Sequence, residues 1–209
     1  MSSTEVLMQL VINGDTEGIV GGVQAALEDG LEAKIVLHAL VEAMDRVGEE
    51  WRVGNMFIPE VLLSAKAMQN GMALIRPQLT SSEASMRGKV VIGTVQGDLH
   101  DIGKSLVGMM IEGAGFEVID LGVDVSATKF VEAVKTLQPD LIALSTLLTT
   151  TLSYMRDTIN SLKEAGLRSE VKVIIGGAPV TQEFADAIGA DGYAPDGASA
   201  VLKVRELIG

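Results

Sequence analysis

The chain has 209 residues, of which 47% are apolar and 21% are charged, and its formal net charge is −12. This composition is typical of a globular protein with a full core, and the acidic charge, spread over both halves, argues against nucleic acid as a partner. With no cysteine and only two histidines, His38 and His100, the sequence excludes thiolate clusters and sites that need several imidazoles. A metal bound here needs at most one protein nitrogen.

No apolar run reaches the roughly 18 residues that span a bilayer. The first residues, Met1–Glu5, contain no basic region ahead of an apolar stretch, so they do not resemble a secretory signal. The sequence therefore predicts a soluble cytoplasmic protein without a membrane partner.

Residues 1–77 carry apolar side chains at three- and four-residue steps, which is the period of amphipathic helices. Turn chemistry interrupts this pattern at Asn13-Gly14-Asp15, Asp29-Gly30 and Arg52-Val53-Gly54-Asn55. Pro59 suits the first turn of a last helix, which extends to about Ile75. These residues predict a small antiparallel bundle of about four helices.

Residues 78–88 are polar and lack periodicity, as linkers between packed units do. The pattern changes across this segment, from helical periodicity to alternating strands and helices. We therefore expect a helical domain at 1–77, a linker at 78–88 and a second domain at 89–209.

From Lys89 onward, short β-rich runs alternate with helical patterns. The predicted strands are Lys89–Val95, Glu117–Leu121, Asp140–Thr146, Val171–Ile175 and a weak fifth at Gly192–Ala194. The predicted helices lie near 102–114, 126–138, 150–166, 180–188 and 197–208. This alternation predicts a parallel sheet with right-handed crossovers and helices on both faces. Five such units indicate a flavodoxin-like (Rossmann-like), doubly wound α/β domain.

Residues of unusual chemistry follow three of the predicted strands. They are Asp98, His100 and Gly103 after the first strand, Ser145, Leu147, Thr149 and Thr151 after the third, and Gly176, Gly177 and Pro179 after the fourth. Because parallel strands end at one edge of the sheet, and open α/β sheets bind ligands there, these three loops are expected to line one crevice.

His100 can offer one ring nitrogen to a metal while a carboxylate, with Asp98 as the first candidate, holds its other N–H. The glycines allow a ligand to approach the backbone closely, and the hydroxyl groups can bond to its polar edges. Each signal alone has an ordinary alternative. A histidine in a loop is usually a surface or capping residue, and a Gly-Gly pair after a strand is usually a turn. A Ser/Thr-rich loop usually caps the helix that follows it.

The spacing of these groups is more specific than any one of them. Gly103 and Ser145 are separated by 41 residues, and Leu147 and Gly176 by 28. The order Asp-x-His-x-x-Gly, Ser-x-Leu and Gly-Gly at these intervals resembles the base-off, histidine-on cobalamin-binding family. The stretches 97–104 and 118–123 look like the cobalamin domain of methionine synthase, and the preceding bundle looks like its helical cap, so the resemblance covers nearly the whole chain.

The resemblance implies that His100 replaces the cofactor's own benzimidazole as the lower ligand of cobalt in a bound cobalamin. Asp98 and Thr151 would form a proton relay behind it; methionine synthase has a serine where this chain has Thr151, so the hydroxyl is kept. The displaced nucleotide tail would enter a slot beside the sheet bordered by Ser145, Leu147, Gly176 and Gly177. The other residues assigned to the cofactor are Leu99, Asp101, Ile102, Gly103 and Thr149.

The segment 48–60 matches the family's cap turn. By that match Trp51, the only tryptophan, and Ile58 would cover the upper face of the corrin and shield the methyl group. Core packing between helices is the alternative explanation for Trp51. A covered methyl group cannot meet a substrate, so the cap would have to move aside, with residues 78–88 as the hinge. His38 lies inside a strong helical pattern and is assigned no role.

A chain with both units is similar to the corrinoid proteins of methylamine, methanol and betaine methyltransferase systems. The resemblance implies a methylcobalamin carrier that accepts a methyl group on Co(I) from a substrate-specific methyltransferase. It would deliver the group from methyl-Co(III) to a second methyltransferase acting on a thiol or a tetrahydropterin such as tetrahydrofolate. A reductive activation protein would be a further partner. The cofactor supplies the difficult chemistry, so we expect a subunit that is not catalytic alone.

Two other functions share the motif. One is the cobalamin-binding subunit of an adenosylcobalamin-dependent mutase, although those small subunits usually lack the helical cap. The other is a cobalamin-based sensor or regulator, which would need a basic DNA-binding unit, whereas residues 1–30 contain no Lys or Arg. A phosphoacceptor receiver domain shares the fold but needs an aspartate and a lysine where this chain has Ser145 and Ala194.

Overall fold

The structure of the protein is a computed structural model that describes residues 1–79 and 87–209, with the backbone alone at Arg52. It contains two compact units, one helical and one α/β. The predicted linker at 78–88 falls largely on residues 80–86, which lie outside the described residues. Within the two described ranges, no helix combines the length and the apolar character needed to cross a membrane.

Four helices form the first unit, and a short 3-10 turn, Arg76–Gln78, follows them. They are α1 (Ser3–Ile12), α2 (Gly18–Glu28), α3 (Ala33–Arg52) and α4 (Ile58–Ile75). Helix α1 begins with a capping box, in which the Ser2 hydroxyl accepts from the Glu5 N–H and the Glu5 carboxylate accepts from the Ser2 N–H. Helix α1 packs on α3, and α4 packs on α2 and α3. The predicted bundle of four helices is confirmed.

The α/β unit alternates strands and helices throughout. The strands are β1 (Lys89–Thr94), β2 (Glu117–Asp120), β3 (Leu141–Ser145), β4 (Lys172–Gly176) and β5 (Gly192–Ala194). The helices are α5 (Ile102–Gly113), α6 (Ala127–Leu137), α7 (Leu152–Glu164), α8 (Gln182–Ile188) and α9 (Gly197–Ile208). All strand pairs are parallel, in the order β2-β1-β3-β4-β5. The predicted flavodoxin-like sheet is confirmed.

Both faces of this sheet are covered, because alternate residues of each strand point to opposite sides. Val91, Ile142 and Ile175 belong to one core with buried residues of α6, α7 and α8. Ile174 and its neighbours on the other face pack toward α9, which contacts β4 and β5. The helices thus fix the sheet, and the loops at its carboxyl edge begin from rigid strand ends.

Candidate functional site

Three of the predicted loops start from one row of the sheet. Thr94 of β1 pairs with Ser145 of β3, and Ser145 pairs with Gly176 of β4. Strands β1 and β3 are neighbours although β2 separates them in sequence, so the chain reverses its winding direction between them. This is the switch point at which open α/β sheets bind ligands.

The β1–α5 loop begins with a tight turn that directs its side chains. The Asp98 N–H donates to the Val95 carbonyl at 3.2 Å, and Gly97, the third residue of the turn, has φ +79°. A positive φ at this position is the type II geometry, which favours glycine. Beyond the turn, the Thr94 hydroxyl donates to the His100 carbonyl at 2.9 Å and ties the loop back to β1.

Asp98 is fully buried, and its carboxylate is the centre of the site. One oxygen, Oδ1, accepts from the His100 N–H at 3.0 Å and faces the His100 Nδ1 at 2.7 Å. The other oxygen, Oδ2, accepts from the Thr146 hydroxyl at 2.8 Å, from the Leu147 N–H at 2.6 Å and from the Leu148 N–H at 3.3 Å. One carboxylate therefore joins the loops that follow β1 and β3.

These bonds decide the charge of Asp98. Burial by itself raises the pKa of a carboxyl group, because it penalises the charged form. The N–H groups of His100 and Leu147, the His100 ring and the Thr146 hydroxyl act in the opposite direction and hold the pKa of Asp98 well below its ordinary value. Asp98 is consequently ionised at neutral pH.

The ionised carboxylate determines which nitrogen of His100 carries hydrogen. A carboxylate only accepts hydrogen bonds, so Nδ1 donates to Asp98 and Nε2 of the neutral ring keeps its lone pair. The imidazole is 53% exposed although its partner is buried. A buried anion thus orients an exposed imidazole ring, an arrangement that also occurs at many metal-bound histidines.

Thr146 is a residue that the sequence reasoning missed. The relay predicted from the sequence joins Asp98 to Thr151, whereas the structure places the Thr146 hydroxyl between them, 2.8 Å from Asp98 Oδ2 and 2.5 Å from Thr151 Oγ1. Thr151 is buried and its hydroxyl also donates to the Leu148 carbonyl at 2.9 Å. The available signal was the hydroxyl pair Ser145-Thr146 at a strand end, but the sequence does not show which of the two faces Asp98.

Apolar side chains lie exposed next to the imidazole in the chain. Leu99 is 71% and Ile102 is 85% exposed, and Leu147 is about half exposed on the β3–α7 loop. Single exposed apolar residues are common on proteins, whereas several of them together are typical of a surface that a ligand or partner covers. Asp101 and Gly103 are exposed at the start of α5, and Thr149 is exposed at the start of a 3-10 turn before α7.

The two glycines after β4 leave no room for side chains. A Cβ atom at Gly176 would lie 2.7 Å from the Ala194 carbonyl oxygen, and one at Gly177 would overlap the Thr146 carbonyl oxygen. Gly177 also has φ +126°, a conformation that L side chains rarely adopt. Gly177 therefore brings the loop after β4 against the residue after β3, and Gly176 lies against β5. Ser145, half-buried at the end of β3, lies in the same row.

The predicted residues of the helical unit lie at the α3–α4 turn. Trp51 is half-buried near the end of α3, whereas Ile58 is exposed at the start of α4. Val53 and Phe57 of the same turn are also exposed. His38 is exposed on α3, away from this turn in the sequence. Among the described residues, no group of three or more His, Cys, Asp or Glu side chains could enclose a metal ion.

Two domain families match the chain. Residues 88–202 match a B12 binding domain family, and residues 4–76 match a second family that is also described as a B12 binding domain. The dimethylamine corrinoid protein 1 of Methanosarcina acetivorans is 44% identical over 212 residues, which cover 100% of both chains. This chain belongs to the corrinoid-protein family.

Two further members show the extent of the likeness. A corrinoid protein of Desulfitobacterium hafniense (strain Y51) is 41% identical over 100% of this chain and 99% of its own. The crystal structure of the methanol:cobalamin methyltransferase complex of Methanosarcina barkeri contains a chain similar to this corrinoid protein with a TM-score of 0.84 and 28% identity. The match covers 97% of the present chain and 83% of that one.

The residues of this corrinoid protein fit a cobalt corrinoid. A corrin ring carries nitrogens of its own for the metal, so the protein would need to offer one more, and the half-exposed His100 ring, held to Asp98 through Nδ1, leaves Nε2 to provide it. A Cβ atom placed at Gly103 would meet open space, so the start of α5 has room at this position. The exposed Leu99 and Ile102 side chains suit the apolar surface of a macrocycle.

Proposed function

We propose that this corrinoid protein is a methyl carrier, in which His100 Nε2 is the lower ligand of cobalt and the cofactor's own base is displaced. The observation that carries the proposal is the pairing of a buried, ionised Asp98 with the exposed His100 ring at 2.7 Å. That contact selects the tautomer with a free Nε2 lone pair and holds the ring in one orientation. When bound, the corrinoid supplies a cobalt centre that can accept and release a methyl group.

A row of hydrogen-bonded side chains begins at the Nδ1 atom of His100. We propose a relay that runs from His100 Nδ1 to Asp98, through the Thr146 hydroxyl, to Thr151. When the single hydrogen of the Thr151 hydroxyl is donated to Thr146 instead of to the Leu148 carbonyl, both hydroxyls donate in the direction of Asp98, and a proton can pass along these bonds toward the ring. Ser145, Leu147, Gly176 and Gly177 would border the slot for the displaced nucleotide tail. Trp51 and Ile58 would shield the methyl group.

The partners follow from the proposed role. The methyl group would come from a substrate-specific methyltransferase and leave to a second methyltransferase that uses a thiol or a tetrahydropterin, with a reductive activation protein restoring the cofactor. The occurrence of a similar chain in a methyltransferase complex of M. barkeri supports the first of these partners. The related dimethylamine corrinoid protein supports a methylamine as the class of donor.

Substitution of His100 tests the ligand. We expect His100→Ala protein loaded with methylcobalamin to lose the parent's absorption spectrum and to bind the cofactor at least about ten-fold more weakly, since an axial ligand is removed. His38→Ala is the matched control, because His38 is the other histidine and is exposed on α3. An unchanged spectrum and affinity in His100→Ala would show that His100 does not bind cobalt.

Isotopic labelling distinguishes His100 from the cofactor's own base. Protein labelled with ¹⁵N-histidine and loaded with unlabelled Co(II) cobalamin is expected to show a doublet splitting from the axial nitrogen in its EPR spectrum. Coordination by the cofactor's own ¹⁴N base would give a triplet instead. A triplet in the parent protein would overturn the base-off, histidine-on assignment.

A methylation assay tests the carrier role. The reduced holoprotein is mixed with methyltransferases specific for dimethylamine, trimethylamine or methanol and with the matching donor, and methylation of cobalt is followed by absorbance. We expect methylation with at least one pair, faster than with free cobalamin. Failure with all pairs, together with rearrangement activity of the adenosylcobalamin-loaded protein beside a mutase partner, would contradict the proposal.

A further inference from the structure

Asp124 has an unusual backbone conformation in the loop between β2 and α6. Its φ is +53°, and among the described residues Gln138 is the other non-glycine residue with a positive φ. Gln138 ends α6, where a left-handed residue is a common cap. Asp124 ends no helix. Such a conformation costs of order 1 kcal/mol and persists where surrounding contacts require it.

The contacts of Asp124 are with the loop that carries His100. Its Oδ1 accepts from the Gly97 N–H at 2.7 Å, and its own N–H donates to the Asp98 carbonyl at 3.0 Å. The next residue, Val125, donates to the Thr94 carbonyl at 2.9 Å and forms a bridge with Val95. Asp124 is therefore anchored to the end of β1 and bonds to two successive residues of the turn.

These two bonds hold the main chain of the turn, whereas the bonds from the β3–α7 loop hold the Asp98 side chain. The bonds from Thr146, Leu147 and Leu148 all end on the Asp98 side chain. The bonds of Asp124 end on the Gly97 N–H and the Asp98 carbonyl, which are main-chain groups of the turn. Asp98 is thus held by its side chain from the β3–α7 loop and by its backbone from the β2–α6 loop.

We propose that Asp124 is a positioning residue for the cobalt ligand. By fixing the Gly97–Asp98 backbone, it sets the position of the Asp98 carboxylate and, through the 2.7 Å contact, the direction of the His100 ring. It accepts the left-handed conformation because this conformation directs both its carboxylate and its N–H to the turn. The inference rests on the proposed ligand role of His100 and assigns Asp124 no contact with the cofactor.

Three substitutions separate the acceptor oxygen from the backbone conformation. Asp124→Asn keeps an acceptor oxygen and tolerates a positive φ, whereas Asp124→Gly relieves the conformational strain but removes the acceptor. Asp124→Ala removes the acceptor and keeps the strain. Gln138→Gly is the matched control, since it relieves the same kind of strain at the end of α6.

We expect the Gly and Ala variants to bind cobalamin about five-fold more weakly, the loss typical of one hydrogen bond. Their EPR spectra should show a smaller fraction of the protein-derived doublet. The Asn variant should restore affinity and spectrum to within about two-fold, and Gln138→Gly should match the parent. In the apoprotein, hydrogen exchange of the Gly97 amide measured by NMR should be faster in the Gly variant than in the Asn variant.

Two results would overturn the inference. One is a Gly variant with the parent's cofactor affinity, doublet fraction and Gly97 exchange rate. The other is an Asn variant as weak as the Gly variant, since the acceptor oxygen would then be irrelevant. Either result is distinct from failure of the proposed function, which a parent protein without the histidine doublet would reveal. The Gly97 exchange rate keeps the test valid in apoprotein.

Discussion

The β1–α5 loop (residues 95–101) and the segment around the α3–α4 turn (residues 48–60) are both predicted to serve the cofactor, yet their hydrogen bonds differ in range. In the turn, the Gly54 N–H donates to the Trp51 carbonyl and the Phe57 N–H to the Glu60 carboxylate, all within a few residues. In the loop, bonds reach Asp124 and Thr146, at sequence separations of 27 and 48 residues.

This difference matches the two tasks proposed for these segments, metal ligation and shielding. Long-range bonds fix a side chain relative to the sheet, which is what a metal ligand needs, because ligation tolerates only small errors in position. Local bonds fix only the shape of the turn itself. The turn exposes Val53, Phe57 and Ile58, and shielding by apolar side chains requires coverage rather than an exact direction.

The largest loss of stability is expected from a substitution at Gly177, where the loop after β4 meets the residue after β3. Gly177→Ala places a Cβ atom against the Thr146 carbonyl oxygen at φ +126°, so we expect the free energy of unfolding to fall by about 3 kcal/mol or more. Urea unfolding measures this change. Gly103→Ala is the control, since its Cβ would enter open space, and a change of less than about 0.5 kcal/mol is expected. Equal stability of the two variants would show that these segments are not tightly packed.

The next largest loss of stability is expected from substitution of Asp98, and its size should depend on pH. Because the pKa of Asp98 is lowered in the folded state, its contribution to stability is present above its unfolded pKa of about 3.9 and is lost as the pH falls toward the folded value. Asp98→Asn should lower the free energy of unfolding of the apoprotein by about 2 kcal/mol at pH 7. The difference from the parent should shrink below about pH 4. A difference that is constant with pH would refute the role of the charge.

Substitutions of Thr146 and Thr151 should have smaller effects on stability and cobalamin affinity, and the effect should be larger at Thr146 than at Thr151. Thr146→Val removes the hydroxyl that donates to Asp98 and should lower the free energy of unfolding by about 1–2 kcal/mol and weaken cobalamin binding. Thr151→Val removes a hydroxyl that bonds to Thr146 and Leu148 and not to Asp98 itself, so it should weaken binding less. Thr146→Ser should retain the parent's affinity. If Thr151→Val weakened binding more than Thr146→Val, the order of the hydroxyls in the proposed relay would be wrong.

The smallest effect on stability is expected in the α3–α4 turn. Phe57 is 71% exposed, so Phe57→Ser should change the free energy of unfolding by less than about 0.5 kcal/mol. If the turn shields the cofactor, cyanide should replace the upper ligand of bound cobalamin faster in this variant than in the parent. A large loss of stability would show that Phe57 belongs to the core instead.

The elements of the fold were largely predictable, because their signals are local. Strand β5 and helix α9 have the residues predicted for them, 192–194 and 197–208, although β5 is short. The polar side chains Asp196 and Thr181 accept from the main chain at the starts of α9 and α8, which is a signal visible in sequence. Periodicity and caps act within a few residues, so the sequence displays them directly.

The pairing of Asp98 with His100 was also predictable, because the two residues are separated by one position in a loop between a strand and a helix. By itself the sequence determined the order of the elements, the sheet edge that carries the candidate site and the pairing of Asp98 with His100. Only the tertiary structure decided that Thr146 lies between Asp98 and Thr151 and that Asp124 accepts a hydrogen bond from Gly97. Both depend on which loops the parallel strand pairing brings side by side, and no local pattern of side chains records the hydrogen bonds that form between loops so far apart in the chain.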